Sequence, residues 1–299
     1  MARTQLRPST YESYRANLSH HVLPRLGATS LSGLTPLDLA ALYGELLTSG
    51  RVDEKGGLSP KTVHYVHTIL HRVLRDAQRW GLLESNPAEL ISSPRYARPE
   101  ISVWGPEEVR RFLYAIREER LYSLYLLAVT TGLRRDELLA LSWARVDLVS
   151  RCLYVTRSLI ALNYKMQVSE TKTRRGRRRV ALDDHSVAAL EEQRGLSPTR
   201  GEEASGTELV FTTPEGSPLH PHSVSQGFDR LVRKHGLPRI RFHDLRHTSA
   251  SLALAAGVHP KVVSERLGHA SVTITLDTYS HVLPSLQAEA ANKIASLIL

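Results

Sequence analysis

The segment from Ser59 to Arg79 has the least structural freedom of any in the chain. Pro60 suits the first position of a helix, where its missing N–H costs nothing, and Ser59 before it is a natural cap. Val63, Val66, Leu70, Val73, Leu74 and Ala77 then recur at intervals of about 3.6 residues. A helix gathers them into one apolar stripe, whereas a strand would scatter them over two faces. The opposite side carries Lys61, His64, Thr68, His71, Arg72, Arg75 and Arg79, with Asp76 as its acid. Solvated faces usually mix signs, so this one suits a helix laid along a phosphate backbone, with plain solvent exposure as the alternative.

Such a stripe needs partners, and the preceding residues supply them. Ser9 and Glu12 read as a capping box opening a helix through about Leu18. Thr35-Pro36, with Asp38 in the first turn, opens another that carries Leu39, Leu42 and Leu46 and ends near Ser49-Gly50. Residues 51–58, with Gly56-Gly57, form a turn. Residues 1–93 thus read as a helical domain.

At 299 residues the chain suits two domains of roughly 100–200 residues each. Ser92-Ser-Pro-Arg-Tyr-Ala-Arg-Pro99 has no apolar period and two prolines, which places a linker at 94–102 and a second domain at 103–299. There Pro106-Glu107-Glu108 opens a helix and Leu121 to Val129 is apolar enough to be buried. Strands are expected at 151–160, 165–170 and 178–182, with a turn from Thr173 to Arg177, and mainly helix from Pro221 onward. Strands grouped amid helices give a mainly α chain with a small β-sheet, its second domain α+β and not built of βαβ units.

Lys and Arg number 39 against 30 acids, a formal charge of +9, and that excess points to a polyanionic partner such as nucleic acid. The single cysteine, Cys152, leaves no internal disulfide and no cysteine-rich zinc site, and reads as a small buried hydrophobe. No apolar run approaches the ~20 residues of a membrane span, and the first residues lack a signal-type stretch, so a cytoplasmic location is expected.

Four segments stand out in the second half: Thr131-Gly-Leu-Arg134-Arg-Asp-Glu137, Thr171-Lys172-Thr-Arg174-Arg175-Gly-Arg177, His243-Asp-Leu-Arg246-His247, and Leu267-Gly-His269 followed by Tyr279. Singly, each is a surface cation, a structural histidine or a half-buried aromatic. Together they supply what phosphodiester transfer requires. Paired guanidiniums (Arg134, Arg246) can hold the charge that grows on phosphorus, and Tyr279 can form a covalent intermediate. His243 and Lys172 can move the protons. No metal and no other cofactor is called for.

This ordered set resembles the signature of the tyrosine recombinase (phage integrase) family, and the resemblance covers nearly the whole chain. It implies a SAM-like, helical core-binding domain ahead of an α+β catalytic domain. Arg134 and Arg246 would clamp the scissile phosphate, His269 would donate to a non-bridging oxygen, and Lys172, at a β-hairpin tip, would protonate the 5′-hydroxyl leaving group. His243 would be the base near Tyr279. Glu137 would order the arginines, and His247 would have a supporting part. Arg174, Arg175 and Arg177 would contact DNA.

The family acts on double-stranded DNA, with four protomers on two sites exchanging strands through a Holliday junction, in some cases with accessory DNA-bending proteins. The apolar series Leu286, Ala290, Ile294 and Leu297 would dock a final helix in a neighbouring protomer. The start at Met-Ala-Arg-Thr leads one to expect a core-binding domain shortened in its first helix and no arm-site-binding domain ahead of it. Alternatives are an Xer-like resolution recombinase, a type IB topoisomerase-like enzyme, a non-catalytic DNA-binding regulator and a metal-dependent nuclease. For the last, His243 and Asp244 lack a convincing carboxylate cluster.

Overall fold

The computed structural model describes residues 6–97, 101–162, 165–170, 176–196, 208–279, 292, 294–296 and 298. The chain divides into two compact units, Met1–Glu100 and Ile101–Leu299.

In the first unit α1 (Pro8–Asn17) runs through a π-helical turn, Leu18–Val22, into α2 (Leu23–Leu26), and α3 (Pro36–Ser49) and α4 (Pro60–Arg79) follow. Ser9 does not cap α1. Pro8, its φ preset for helix, starts α1 directly after Arg7 and leaves Ser9 inside the first turn, while Glu12 pairs with Arg15 at 2.7 Å. A capping box forms instead on α3, where only an acid in the first turn was expected: the Thr35 N–H donates to the Asp38 carboxylate (2.8 Å) and the Asp38 N–H to the Thr35 hydroxyl (3.3 Å). Ser59 caps α4 by accepting from the Thr62 N–H. Val63, Val66, Leu70 and Leu74 pack with Leu39, Leu42, Tyr43 and Leu46 to form this unit's core. Ile69 is fully buried, whereas Val73 is 38% exposed.

The second unit begins with α5 (Pro106–Ala115), α6 (Tyr122–Thr131) and α7 (Arg135–Leu139). Strands β1 (Val146–Asp147), β2 (Cys152–Val155), β3 (Arg157–Leu162), β4 (Lys165–Glu170) and β5 (Arg178–Ala181) come next, and α8 (Asp184–Gly195), α9 (Pro221–Lys234), α10 (Asp244–Ala255), α11 (Pro260–Leu267) and α12 (Val272–Tyr279) complete it. One antiparallel sheet has the order β1-β2-β5, and β3 and β4 form a separate antiparallel pair. The expected strand 151–160 is therefore two, interrupted at Thr156, with halves in different sheets. β4 pairs with β3 (Leu159 opposite Val168) and β5 with β2 (Leu153 opposite Val180), so the last two expected strands do not pair with each other.

α6 is buried along almost its whole length, as its unbroken apolar run requires. Beside it Trp104, Phe112, Tyr125, Phe228 and Phe242 stack with ring centroids 5.1–6.0 Å apart. The Trp104 indole N–H donates to the Pro238 carbonyl (2.9 Å), and its backbone N–H donates to the Thr248 hydroxyl (3.1 Å). The start of the unit is thus tied to α10. Among the described residues no helix is long and apolar enough to cross a membrane.

Candidate active site

Two helix ends make the seat of the site. α6 closes at Gly132 (φ 65°) and α11 at Gly268 (φ 68°), each in the left-handed region that terminates helices. A Cβ on Gly132 would stand 2.6 Å from the Leu267 side chain, so glycine also permits the two ends to meet. Arg246, on α10, spans them: one Nη donates to the Gly132 carbonyl (2.7 Å) and the other to the Leu267 carbonyl (2.8 Å). Terminal carbonyls carry the negative end of the helix dipole, which suits a buried cation. Arg246 is 4% exposed. Burial, then the neighbouring Arg134, push its pKa down to about 9, which leaves it charged at neutral pH, and among the described residues it forms no ion pair with a carboxylate. Arg266 reinforces the joint by donating to the Thr130 carbonyl (3.1 Å).

Glu137 organises the next layer. Its carboxylate accepts from the Arg134 N–H (2.9 Å), the Arg134 guanidinium (2.8 Å) and both Nη atoms of Arg178 (3.1 and 2.8 Å). Burial raises the Glu137 pKa, but Arg178 and Arg134 outweigh it and hold the group below its ordinary value. Arg178 also donates through Nε to the Arg266 carbonyl (2.6 Å), which ties β5 to the end of α11. Arg134 remains 41% exposed at its side chain, free to meet a ligand. The expectation that Glu137 orders the arginines thus finds it touching Arg134 and Arg178, with Arg246 held by carbonyls instead.

α12 brings two side chains inward. The His269 Nδ1 lies 2.8 Å from the hydroxyl of Thr275, which is fully buried. Burial, then Arg246, lower the His269 pKa to about 4, so the ring is neutral at pH 7. If Thr275 donates to Nδ1, the proton sits on Nε2 and points elsewhere as a donor. One turn later Tyr279, 1% exposed, packs with Ala250, Leu254, Val263 and Leu267. Its hydroxyl is 2.7 Å from Nδ1 of His247. His243, expected beside Tyr279, makes no hydrogen bond to it; the two imidazoles stand edge to face at 5.3 Å, and His243 instead lines a cleft with Arg134, Arg135 and Arg241.

The remaining expected residues are distributed as follows. Lys172, Arg174 and Arg175 lie outside the described residues, as do Leu286, Ala290 and Leu297. Arg177 is exposed and lines a cavity of about 560 Å³ with Arg178, Lys261, Arg266 and His269. In the first unit Lys61, Thr68, Arg72, Arg75 and Arg79 are exposed, while His64 and His71 are half-buried. His64 bonds Ser93 at 2.9 Å, and Glu89 stands 3.5 Å from Arg75 and 3.8 Å from His71, an acid the helix pattern did not reveal. Among the described residues no group of His, Cys, Asp and Glu is placed to hold a metal. Sequence reasoning passed over Arg178 and Thr275. Period-two alternation would have found the first, because Val180 is buried and Arg178 shares its face.

Fold and site together define a tyrosine-dependent DNA strand-transfer enzyme. The chain belongs to the phage integrase family: the model described as "Phage integrase family" matches residues 104–285, and "Phage integrase, N-terminal SAM-like domain" matches residues 1–47. Among curated relatives it is 27% identical to the ICEBs1 integrase of Bacillus subtilis (strain 168), over 98% of this chain and 79% of that one. It is 26% identical to the "Tyrosine recombinase XerC-like" of Caldanaerobacter subterraneus subsp. tengcongensis, over 100% and 81%. Its fold matches the Tn1549 transposon integrase, solved with a circular-intermediate DNA, with a TM-score of 0.79 at 22% identity, covering 97% of this chain and 95% of that one.

Proposed function

We propose that the chain is a site-specific DNA recombinase that cuts and rejoins strands of double-stranded DNA through a 3′-phosphotyrosyl intermediate, with neither metal nor ATP. The observation that carries this reading is the meeting of a buried, hydrogen-bonded Tyr279 with a desolvated Arg246 that has no carboxylate ion pair among the described residues. Arg246 and the exposed Arg134 take the scissile phosphate, and His269 donates to a non-bridging oxygen. The Tyr279 oxygen attacks phosphorus, its proton passes to an imidazole of the His243–His247 segment, and the bond to the 5′-oxygen breaks as Lys172 protonates it. One phosphodiester is exchanged for another, so the bond energy is kept for rejoining to a partner strand.

Arg174, Arg175 and Arg177, with Lys61, His64, Thr68, His71, Arg72, Arg75 and Arg79 of α4, hold the DNA backbone. Four protomers on two sites, linked through the C-terminal segment that includes the 58%-exposed Ile294, complete the reaction, with accessory DNA-bending proteins as further partners. A nicked suicide duplex drawn from DNA flanking the gene, incubated in EDTA, tests the reading. An SDS-stable adduct is expected from the wild type and none from Tyr279→Phe; an adduct that persists in the variant removes Tyr279 as nucleophile.

A further inference from the structure

We propose that His247, and not His243, takes the proton from Tyr279 during strand cleavage and returns it during rejoining. This rests on Tyr279 being the nucleophile. Geometry makes the first case. A general base must stand within hydrogen-bond reach of the proton it removes, and the His247 Nδ1 is 2.7 Å from the Tyr279 oxygen. No other hydrogen bond to that hydroxyl is present among the described residues, and with Tyr279 1% exposed bulk water does not reach it in this arrangement. The proton's exit therefore lies through His247. His243, one helical turn earlier, is exposed in the cleft it shares with Arg134, where it can serve the phosphate.

The electrostatics agree. Burial, then His243, lower the His247 pKa to about 4, so at neutral pH the imidazole is uncharged and has a lone pair to offer. Burial raises the Tyr279 phenol to about 12, with Arg246 pulling the other way. The gap keeps the proton on Tyr279 at rest. It moves only as the oxygen bonds to phosphorus and loses basicity, and buried Asp244 favours the imidazolium that results. In the forward step the Tyr279 O–H bond breaks, His247 gains the proton, the oxygen–phosphorus bond forms and the 5′-oxygen departs with a proton from Lys172. Rejoining runs these changes backward. For Nδ1 to accept, His247 must carry its resting proton on Nε2.

The test is rapid-quench adduct formation on a suicide duplex by the wild type, His247→Ala, His247→Gln and His243→Ala. Each is prepared with tyrosine or with the more acidic 3,5-difluorotyrosine at position 279. Both His247 variants should slow adduct formation by about 10²–10⁴-fold with duplex binding unchanged. Difluorotyrosine should restore part of the rate in the His247 variants and none in His243→Ala, because a more acidic phenol has less need of a base. A duplex with sulfur as the bridging 5′ atom, a leaving group that needs no acid, should leave the His247 defect in place. Adduct formation by His247→Ala within about threefold of the wild type, or difluorotyrosine rescue confined to His243→Ala, overturns the proposal while Tyr279 stands. If the wild type makes no adduct, the reading beneath the proposal falls, and the proposal with it.

Discussion

The chain uses arginine in two opposite ways. On α4 in the first unit, Arg72, Arg75 and Arg79 lie in solvent, and the Arg79 side chain is 71% exposed with an acid no nearer than 3.8 Å. In the second unit Arg246 is 4% exposed and the Arg178 side chain 7%, and their donors are committed to named carbonyls and one carboxylate. Exposed cations attract phosphates over a Debye length and tolerate many geometries. A buried guanidinium costs desolvation energy, and in return its hydrogen bonds hold it in one geometry. In the proposed function the first arrangement would give affinity, and the second would aim a charge at a single atom.

The contrast should be largest in catalysis. Arg246→Ala removes a preorganised charge from the phosphate seat and should slow adduct formation by at least about 10²–10³-fold. Arg246→Lys should fare little better, since one ammonium cannot span the Gly132 and Leu267 carbonyls as a fork does. Rapid-quench assays check both, and near-normal rates in the lysine variant would erase the distinction between aimed and diffuse charge. Next in size is a folding effect. Glu137→Ala strands the buried Arg178 without its carboxylate, at about 3–5 kcal/mol, read by urea denaturation. Smallest for stability is the triple change of Arg72, Arg75 and Arg79 to alanine on α4. Thermal stability should move within about 0.5 kcal/mol, while the slope of log affinity against log salt should flatten by about 0.9 for each phosphate no longer neutralised. A changed melting point with an unchanged slope would place those side chains in packing, away from DNA.

How much the sequence reveals follows from the range over which each feature acts. The stripe of α4, the Thr35–Asp38 box and the buried run of α6 are local patterns, and each lies where its own residues place it. Of the motif residues, Arg246 and Tyr279 lie within the helical stretch expected beyond Pro221, while Arg134 caps α7 and His269 stands in the turn between α11 and α12. Long-range pairings are not legible. Nothing near Arg178 in sequence announces Glu137, 41 positions away, and nothing near Tyr279 distinguishes His243 from His247, since both lie at the start of α10 one turn apart. In sequence Gly132 and Gly268 are only letters of a motif, although they act through their φ angles, which free two carbonyls to meet one guanidinium.

Thr275 and Tyr279 sit one turn apart on the same inner face of α12, the first steadying His269 and the second presenting its phenol to His247. A single short helix thus works as a key with two teeth. With Tyr279 as the proposed nucleophile, withdrawing this helix would disarm it and free the ring of His269 in the same movement.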